Sequence, residues 1–413
     1  MKLQPHQTYI VEKGKYITMK LDIIKNFCDR MADERTPGCS VRVYLKGRPI
    51  YSYDCGVSSL ETGKKMQGDE FFWIYSCSKV ATVTGALKLV EDGIILINDP
   101  VYEYIPEWRN VKVKRPDGTL STPASPVTIG DLFSMTAGMD YNFGSEAIKR
   151  VKAATGGKCP TEEMTREFAS EPLWFDPGTK WQYSLCHDVL AGLVGIVSGM
   201  PFRDYMRERV FLPLGMEDTY YHADDRILSR MAEQYTFVAD GSGIVTDTTE
   251  AQIKGTDAKS GHFVNVGKDN PDILGDEYDS GGAGIVTTAD DYAKLCGALA
   301  NGGRNAGGER IISEASIKLM TTNRLSEEIR RRDFNWFALR GYGYGLGVRV
   351  NINPAESGSV SPVGEFGWGG AAGASVVCDT ESGIGAFFVQ HTLNPREEWY
   401  QPRLRNLLFA ALD

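Results

Sequence analysis

The stretch FFWIYSCSK, residues 71–79, places a serine and a lysine three positions apart, directly after an apolar run typical of a β-strand. Apolar residues then recur at helical spacing from Val80 to Val90, and Gly93 follows as a stop signal. The pattern predicts that Ser76 lies in the first turn of an amphipathic helix that faces the core. Ser76 and Lys79 would then lie on the same side of that helix.

This pairing indicates nucleophilic chemistry. A serine hydroxyl is a poor nucleophile at neutral pH, and a neighbouring amine that takes its proton is one way to activate it. Unpaired backbone N–H groups and the positive end of the dipole at a helix start also favour negative charge on a substrate. Because such a pair arises by chance about once in a chain of this length, a helix-capping serine is the alternative interpretation.

The composition is that of a soluble globular enzyme with one large domain or two closely packed ones. The chain has 413 residues, of which 42% are hydrophobic and 24% charged. A net charge of -9, with basic residues interspersed among acids, argues against a nucleic-acid partner. No apolar run reaches about 18 residues, so we expect no membrane partner. A small-molecule substrate is expected, and the oligomeric state stays open.

The cysteines and histidines give no sign of a metal site or a disulfide framework. The eight cysteines are scattered without a C-x-x-C pair, which predicts reduced thiols in a cytoplasmic protein. The first twenty residues contain no apolar segment typical of a secretion signal. The five histidines form no zinc or triad motif, and no glycine-rich phosphate loop is present. We therefore expect no metal and no cofactor.

Both ends of the chain show strand patterns, whereas the middle is mainly helical. The N-terminal part predicts a helix over 19–32 and a hairpin of strands over 41–45 and 50–53. The C-terminal part predicts strands over 343–350, 374–378 and 384–391, and a closing helix over 402–412 with Pro402 in its first turn. Between them, helices are predicted over 161–170, 185–197 and 202–210, and cleft loops over 240–284.

The fold class predicted is therefore α/β of the α+β type, with a central antiparallel sheet built from both termini and flanked by helices. Residues 1–80 and 285–413 would form a discontinuous sheet domain. Residues 81–284 would form a mainly helical inserted domain that carries the cleft loops.

A second candidate residue follows a turn in the middle of the chain. The segment DPGTKWQYS, residues 176–184, delivers Tyr183 to the start of a predicted helix. A phenol held near an ammonium loses its proton more readily than in water, so Tyr183 could serve as a general base. A half-buried aromatic ring with a hydrated hydroxyl is the alternative.

A third feature is the small-residue segment FGWGGAAGAS, residues 366–375, which leads into a strand. Glycines there allow a ligand to approach the main chain, so the strand edge could donate a backbone N–H to an acyl oxygen. A β-bulge or bend would give the same pattern.

Together these three features resemble the serine β-lactamase and penicillin-binding-protein superfamily. The resemblance is to the class C β-lactamase-like branch that includes family VIII carboxylesterases. Further segments similar to that branch run along nearly the whole chain: LVEDG (89–93), NDPV (98–101), TIGDLFSMTAG (128–138), PLGM (213–216) and GGAGIVTTADDY (281–292).

The resemblance implies a β-lactamase/D,D-peptidase-like fold and a role for each candidate residue. Ser76 would be the nucleophile, Lys79 its activating partner, and Tyr183 the base that returns a proton to the leaving group. The backbone N–H groups of Ser76 and Ala371 would form the oxyanion hole. The reaction would be acylation of Ser76 followed by deacylation, on an ester or amide substrate.

Two departures from the family pattern narrow the expected substrate. Leu185 stands where lactamases and D,D-peptidases carry the amide of Tyr-x-Asn, and Trp368-Gly369-Gly370 stands in place of Lys-Thr-Gly. Losing both contacts removes charge-assisted recognition of a β-lactam or D-Ala-D-Ala terminus, and a tryptophan favours an uncharged or apolar group. We expect these four residues to bind substrate.

The sequence therefore predicts a serine hydrolase that cleaves small carboxylic esters. The alternatives on the same chemistry are a D,D-peptidase, a D-amino-acid amidase, a weak β-lactamase or an acyltransferase. A non-catalytic binding or sensor protein on this scaffold is the alternative from a different class.

Overall fold

The computed structural model describes residues 8–12, 15–239, 261–336, 339–393 and 395–411. Its strands, in chain order, are β1 (Thr8–Glu12), β2 (Lys15–Met19), β3 (Gly38–Leu45), β4 (Arg48–Ser59), β5 (Lys64–Lys65), β6 (Phe71–Trp73), β7 (Val113–Lys114), β8 (Leu120–Ser121), β9 (Thr219–Tyr220), β10 (Gln234–Ala239), β11 (Gly261–Gly267), β12 (Val286–Thr288), β13 (Tyr342–Tyr344), β14 (Arg349–Asn351), β15 (Phe366–Gly367), β16 (Ser375–Asp379) and β17 (Ile384–Gln390).

The α-helices of the same residues are α1 (Asp22–Glu34), α2 (Ser78–Glu91), α3 (Ile129–Ser134), α4 (Glu146–Ala154), α5 (Thr161–Glu167), α6 (Cys186–Ser198), α7 (Phe202–Met206), α8 (Asp225–Arg230), α9 (Ala289–Ala300), α10 (Glu314–Met320), α11 (Glu327–Arg332), α12 (Pro354–Ser357) and α13 (Glu397–Ala410).

The large sheet joins the two ends of the chain. Its eight strands lie in the order β13-β14-β15-β16-β17-β3-β4-β5, and every neighbouring pair is antiparallel. The C-terminal strand β17 pairs along its length with β3, so that Phe387 lies opposite Arg42. The predicted fold class, a mixed α/β protein with an antiparallel sheet from both termini, is confirmed. The division into two domains stays a prediction.

Strand β17, inside the sheet, is buried on both faces, and its successive residues point to opposite sides. Along β17, Ala386 and Phe388 pack into a cluster with residues of α1 and α13. Phe387 and Val389 belong instead to the main core, on the face that α9 covers. Two covered faces explain why this strand reads as an unbroken apolar run.

The Ser76 region connects the two parts of the fold. Strand β6 belongs to a small sheet of order β6-β12-β9, and it leads through Ser76 into α2. Helix α2 packs against α6 and is buried on nearly all sides from Ser78 to Leu89. The expectation of an amphipathic helix is therefore wrong, because α2 lies inside the protein and not at the edge of its core.

Several predicted boundaries differ from the structure. Residues 343–350 form no single strand, because a turn with Gly347 at φ 72° separates β13 from β14. Pro402 lies inside α13 and not in its first turn, because the helix begins at Glu397. Helical structure from Phe202 continues after Met206 as a π-helix over Arg207–Phe211.

The segment predicted as cleft loops is only partly described. Residues 240–260 lie outside the described residues, so the expectation that they form cleft loops stays a prediction. Gly261–Gly267 forms strand β11, which pairs with β10, and here the expectation of a loop is wrong. Among the helices that the structure describes, none is long and apolar enough to cross a bilayer.

Candidate active site

Ser76 lies in a one-turn 3-10 helix, Tyr75–Cys77, that joins β6 to α2. The prediction placed Ser76 in the first turn of the α-helix, whereas the structure places it just before the helix begins. Tyr75 has φ 45°, a left-handed conformation that is uncommon for a residue with a side chain. The ring of Tyr75 is buried, and its hydroxyl donates to Gln234 Oε1 at 2.7 Å. Surrounding packing thus holds the sharp bend that presents the Ser76 hydroxyl.

The structure brings Ser76, Lys79 and Tyr183 into direct contact. The Tyr183 hydroxyl donates to Ser76 Oγ at 2.6 Å, and Lys79 Nζ donates to the same oxygen at 3.3 Å. Lys79 Nζ also lies 4.6 Å from the centre of the Tyr183 ring. These distances allow a proton to pass between the three side chains without a bridging water.

Lys79 is fully buried, although it carries an amine. Its second hydrogen bond goes to the backbone carbonyl oxygen of Gly282, at 2.8 Å. Since helix α2 fixes the backbone of Lys79, the Gly282 carbonyl sets the direction in which the side chain extends. The amine is therefore held against the Ser76 hydroxyl.

A second tyrosine, which the sequence analysis missed, reaches the same hydroxyl. The Tyr141 ring stacks on the Tyr183 ring, with centres 5.4 Å apart and planes 5° from parallel. Burial raises the pKa of Tyr141 well above its ordinary value, while a hydrogen bond with the Ser76 side chain acts in the opposite direction. Tyr141 therefore stays protonated at neutral pH, which leaves Tyr183 as the candidate base.

Aromatic rings form the wall of the site around Tyr183. The Trp368 ring stacks on Tyr183 at 5.8 Å between centres, and its indole N–H donates to the Tyr183 hydroxyl oxygen at 3.3 Å. Trp336 contacts Tyr183 edge-on at 5.6 Å and also packs against Trp181. Because 46% of Trp336 is exposed, its ring lies at the rim of this wall. Trp368 thus lies beside Tyr183, and its role in substrate binding stays a prediction.

The glycine-rich segment lies directly against the serine turn. A Cβ on Gly370 would lie 2.2 Å from the Ile74 carbonyl oxygen, and one on Gly369 would lie 2.4 Å from Gln401 Nε2. Gly370 is therefore required by packing against the main chain, whereas a Cβ on Gly369 would meet the end of a flexible side chain. Ala371 is exposed, and the N–H groups of Ala371 and Ser76 donate to no described residue. Both N–H groups are free to receive an acyl oxygen.

Leu185 is a part of the main core. It is 2% exposed, and its backbone N–H donates to the Asp140 carbonyl oxygen at 3.0 Å. Neighbouring core residues cover its side chain. Its role in substrate binding stays a prediction.

Two buried histidines near the core are structural. His187 donates or accepts through Nε2 with the Phe133 carbonyl oxygen at 3.1 Å, and His391 bonds to the Glu233 carbonyl oxygen. Burial lowers the pKa of His187 to about 3 and that of His391 to about 4. Both rings are therefore neutral at physiological pH, and the described contacts link neither to Ser76.

Some signal for the missed residues is present in the sequence. Gly282 lies in the segment GGAGIVTTADDY, and Tyr141 lies three positions after the end of TIGDLFSMTAG. Both segments were informative only as resemblances, because nothing in their local pattern indicates contact with Ser76.

Comparisons with known proteins show which family the chain resembles. The profile of the family described as Beta-lactamase matches residues 23–410. Esterase EstB from Burkholderia gladioli is 27% identical over 383 residues, which cover 91% of this chain and 91% of EstB.

Two solved structures show the same fold. EstCE1, described as a hydrolase with promiscuous acyltransferase activity, superposes with a TM-score of 0.73 at 23% identity, over 94% of this chain and 98% of its own. Unliganded simvastatin synthase (LovD) from Aspergillus terreus superposes with a TM-score of 0.72 at 17% identity, again over 94% and 98% of the two chains.

Proposed function

Because the chain belongs to the beta-lactamase family and is a serine hydrolase, we propose that it cleaves small carboxylic esters through an acyl-Ser76 intermediate. One observation carries this proposal: the Tyr183 hydroxyl lies 2.6 Å and Lys79 Nζ 3.3 Å from the same oxygen, Ser76 Oγ. A non-catalytic binding protein has no need for such a proton-transfer set.

In the acylation step Tyr183, as the phenolate, takes the proton of the Ser76 hydroxyl while Oγ attacks the ester carbonyl carbon. The backbone N–H groups of Ser76 and Ala371 donate to the oxygen that becomes negative. Tyr183 then gives the proton to the departing alcohol, and the acyl group stays on Ser76 as an ester.

Deacylation repeats the sequence with water in place of the alcohol. Tyr183 takes a proton from the water, whose oxygen attacks the acyl carbon. The tetrahedral intermediate collapses, the proton returns to Ser76 Oγ, and the carboxylic acid leaves. Whenever Tyr183 is ionised, the Lys79 ammonium stabilises its negative charge, and the neutral Tyr141 ring stacks on the Tyr183 ring.

The chemistry of the wall favours an uncharged substrate. Trp368 occupies the position where the family carries a lysine, and its indole ring stacks on Tyr183 in the wall of the site. Trp336 adds a second apolar surface at the rim. Burying an apolar group of the substrate against these aromatic rings is favourable, so we expect uncharged acyl or alcohol groups to bind best. The similarity to Esterase EstB supports an ester substrate.

Ser76→Ala tests the proposal with p-nitrophenyl acetate and butyrate as substrates. We expect it to abolish turnover while circular dichroism and thermal unfolding show a retained fold. Ser78→Ala is the matched control, because Ser78 is the other serine of the motif and its Oγ accepts from the Ile285 N–H at 3.0 Å. Undiminished turnover by Ser76→Ala would reject the proposal.

Acyl transfer to an alcohol is a second candidate function. EstCE1, which shares the fold, is described as having promiscuous acyltransferase activity. Adding alcohol acceptors and measuring new esters by mass spectrometry separates transfer from hydrolysis. Turnover of nitrocefin, of a D-Ala-D-Ala peptide or of a D-amino-acid amide would instead favour the lactamase, D,D-peptidase or amidase alternative.

We further propose that the protein works in the cytoplasm and without a cofactor. Eight free thiols support a reducing compartment, since paired cysteines are typical of oxidising ones. Activity assays after cell fractionation and after dialysis against a chelator test the two parts separately.

A further inference from the structure

We propose that Asp188 is a positioning residue for the reaction, whose buried carboxylate supplies the counter-charge of the Lys79 ammonium across Gly282. This inference rests on the proposed function, because it concerns the protonation state in which Lys79 acts on Tyr183. Asp188 lies in helix α6. None of Ser76, Lys79 and Tyr183 belongs to this helix.

The two oxygens of the Asp188 carboxylate have different surroundings. Oδ1 accepts hydrogen bonds from the Ser280 hydroxyl at 2.6 Å, the Tyr278 hydroxyl at 3.0 Å and the Gly282 N–H at 3.4 Å. Oδ2 is buried and accepts no hydrogen bond from any described residue. The residue as a whole is 1% exposed. A buried carboxylate oxygen without a partner needs an explanation.

Gly282 shows where that oxygen points. A Cβ built on Gly282 would lie 2.6 Å from Asp188 Oδ2 and 3.3 Å from Lys79 Nζ. The oxygen and the amine therefore both border the space that a side chain at position 282 would fill. The carbonyl oxygen of Gly282 accepts from Lys79 while its N–H donates to Asp188, so the same residue holds both groups.

The hydrogen-bond pattern indicates an ionised carboxyl group. Three donors converge on Oδ1, and donors stabilise a carboxylate over a carboxylic acid. A proton on Oδ2 would have no acceptor among the described residues. Burial raises the pKa of Asp188, and the Lys79 charge and the three donors act against that rise.

A counter-charge that does not contact Lys79 directly is useful for catalysis. No ion pair within 4.0 Å joins Lys79 to a described carboxylate, so the amine is not drawn away from Ser76. A buried ammonium without any counter-charge would lose its proton, since burial disfavours the charged form. The Asp188 carboxylate, beside Gly282, stabilises the ammonium form of Lys79. The hydrogen bond to Ser76 Oγ meanwhile holds the amine at the site.

Among the described neighbours of Asp188, three tyrosines and His187 carry no charge at neutral pH, whereas Asp272 does. Burial holds Tyr141, Tyr221 and Tyr278 protonated, with pKa values well above the ordinary one, and lowers the pKa of His187 to about 3. Asp272 is a second carboxyl group in the field of Lys79, and burial raises its pKa to about 6. It is less buried than Asp188, and no described hydrogen bond fixes its carboxylate toward Gly282.

The test is the pH profile of kcat/KM for p-nitrophenyl butyrate in Asp188→Asn. This variant keeps the shape of the side chain and removes its charge. We expect the alkaline limb, where the ammonium is lost, to move to lower pH by about one unit or more. Tyr278→Phe is the matched control, because it removes a donor to Oδ1 and leaves the carboxylate. Its alkaline limb should stay within about 0.3 units of the wild type.

An Asp188→Asn enzyme with lower kcat and an unmoved alkaline limb would overturn the inference, because a purely structural role predicts that result. If this variant does not fold, Gly282→Ala decides, since its Cβ separates Oδ2 from Lys79. A limb at lower pH supports the inference, and an unmoved limb overturns it. A wild-type enzyme without ester turnover, or without labelling of Ser76 by a fluorophosphonate, would instead reject the proposed function itself.

Discussion

The indole N–H of Trp368 points at the hydroxyl oxygen of Tyr183 from 3.3 Å, while the two rings stack with centres 5.8 Å apart. One residue thus supplies both an apolar surface and a hydrogen-bond donor to the candidate base. A donor to this oxygen stabilises the phenolate that takes the proton of Ser76. In lactamases the residue at this position helps to hold a substrate carboxylate, whereas here Trp368 donates a hydrogen bond to Tyr183, the candidate base.

Trp368→Phe should therefore lower kcat. The phenyl ring keeps the stacking and loses the donor, so we expect about a 3- to 10-fold decrease with p-nitrophenyl butyrate. Trp336→Phe is the control, because Trp336 touches the same tyrosine only edge-on. Equal losses of kcat in both variants would show that the hydrogen bond is not what matters.

The two tyrosines at Ser76 should differ in importance. Tyr183→Phe removes the base and should lower kcat/KM by about 10²- to 10⁴-fold, and Lys79→Ala should have an effect of similar size. Tyr141→Phe keeps the ring that stacks on Tyr183 and removes only a hydroxyl group that stays protonated, so about a tenfold decrease is expected. Steady-state kinetics of the three variants provide the comparison. A larger loss in Tyr141→Phe than in Tyr183→Phe would exchange their roles.

The close approach of the glycine-rich segment should be necessary for activity. Gly370→Ala places a Cβ 2.2 Å from the Ile74 carbonyl oxygen and must push the segment away from the serine turn. Displacing Ala371 by about 1 Å should lower kcat/KM by about 10²-fold. Gly307→Ala is the control, because the nearest atom to its Cβ would be the Asn305 side chain at 3.3 Å. If Gly370→Ala retains wild-type kinetics, the segment does not position the oxyanion site.

Acid should destabilise the protein partly through His187. Burial, helped by the charge of Lys79, holds the pKa of His187 at about 3, below the ordinary value of 6.5. The unfolded chain therefore binds a proton that the folded one does not, and the stabilisation present above pH 6.5 is lost as the pH falls toward 3. Between pH 7 and 4.5 this amounts to about 2 kcal/mol.

Urea unfolding of His187→Gln at the two pH values measures this contribution. The free energy of unfolding should change less between pH 7 and 4.5 in the variant than in the wild type, whatever its stability at pH 7. The same pH dependence in both proteins would mean that His187 is protonated in the folded state.

Much of the fold could be predicted because its strands carry strong local signals. The hairpin of β3 and β4 and the strands β16 and β17 are apolar runs bounded by turn residues, and their sheet follows from placing both ends together. Turns inside a run were harder to detect. Gly347 separates β13 from β14 within one apolar segment, and only the backbone conformation of that glycine shows it.

The site could be predicted only where a motif carried it. Ser76, Lys79 and Tyr183 belong to recognisable motifs, and the structure places them in contact. Tyr141 and Asp188 act through contacts between elements far apart in sequence, which no local pattern encodes. Asp188 reads as an ordinary polar residue near a helix start, although it is buried and faces the amine of the site.

The most direct test of the central claim is mass spectrometry of the intact protein after rapid mixing with p-nitrophenyl butyrate and acid quenching. We predict a single butyryl adduct that peptide mapping assigns to Ser76, absent in Ser76→Ala and formed much more slowly in Tyr183→Phe. An adduct on another residue, or butyryl release at the wild-type rate by Ser76→Ala, would contradict an activated serine at position 76.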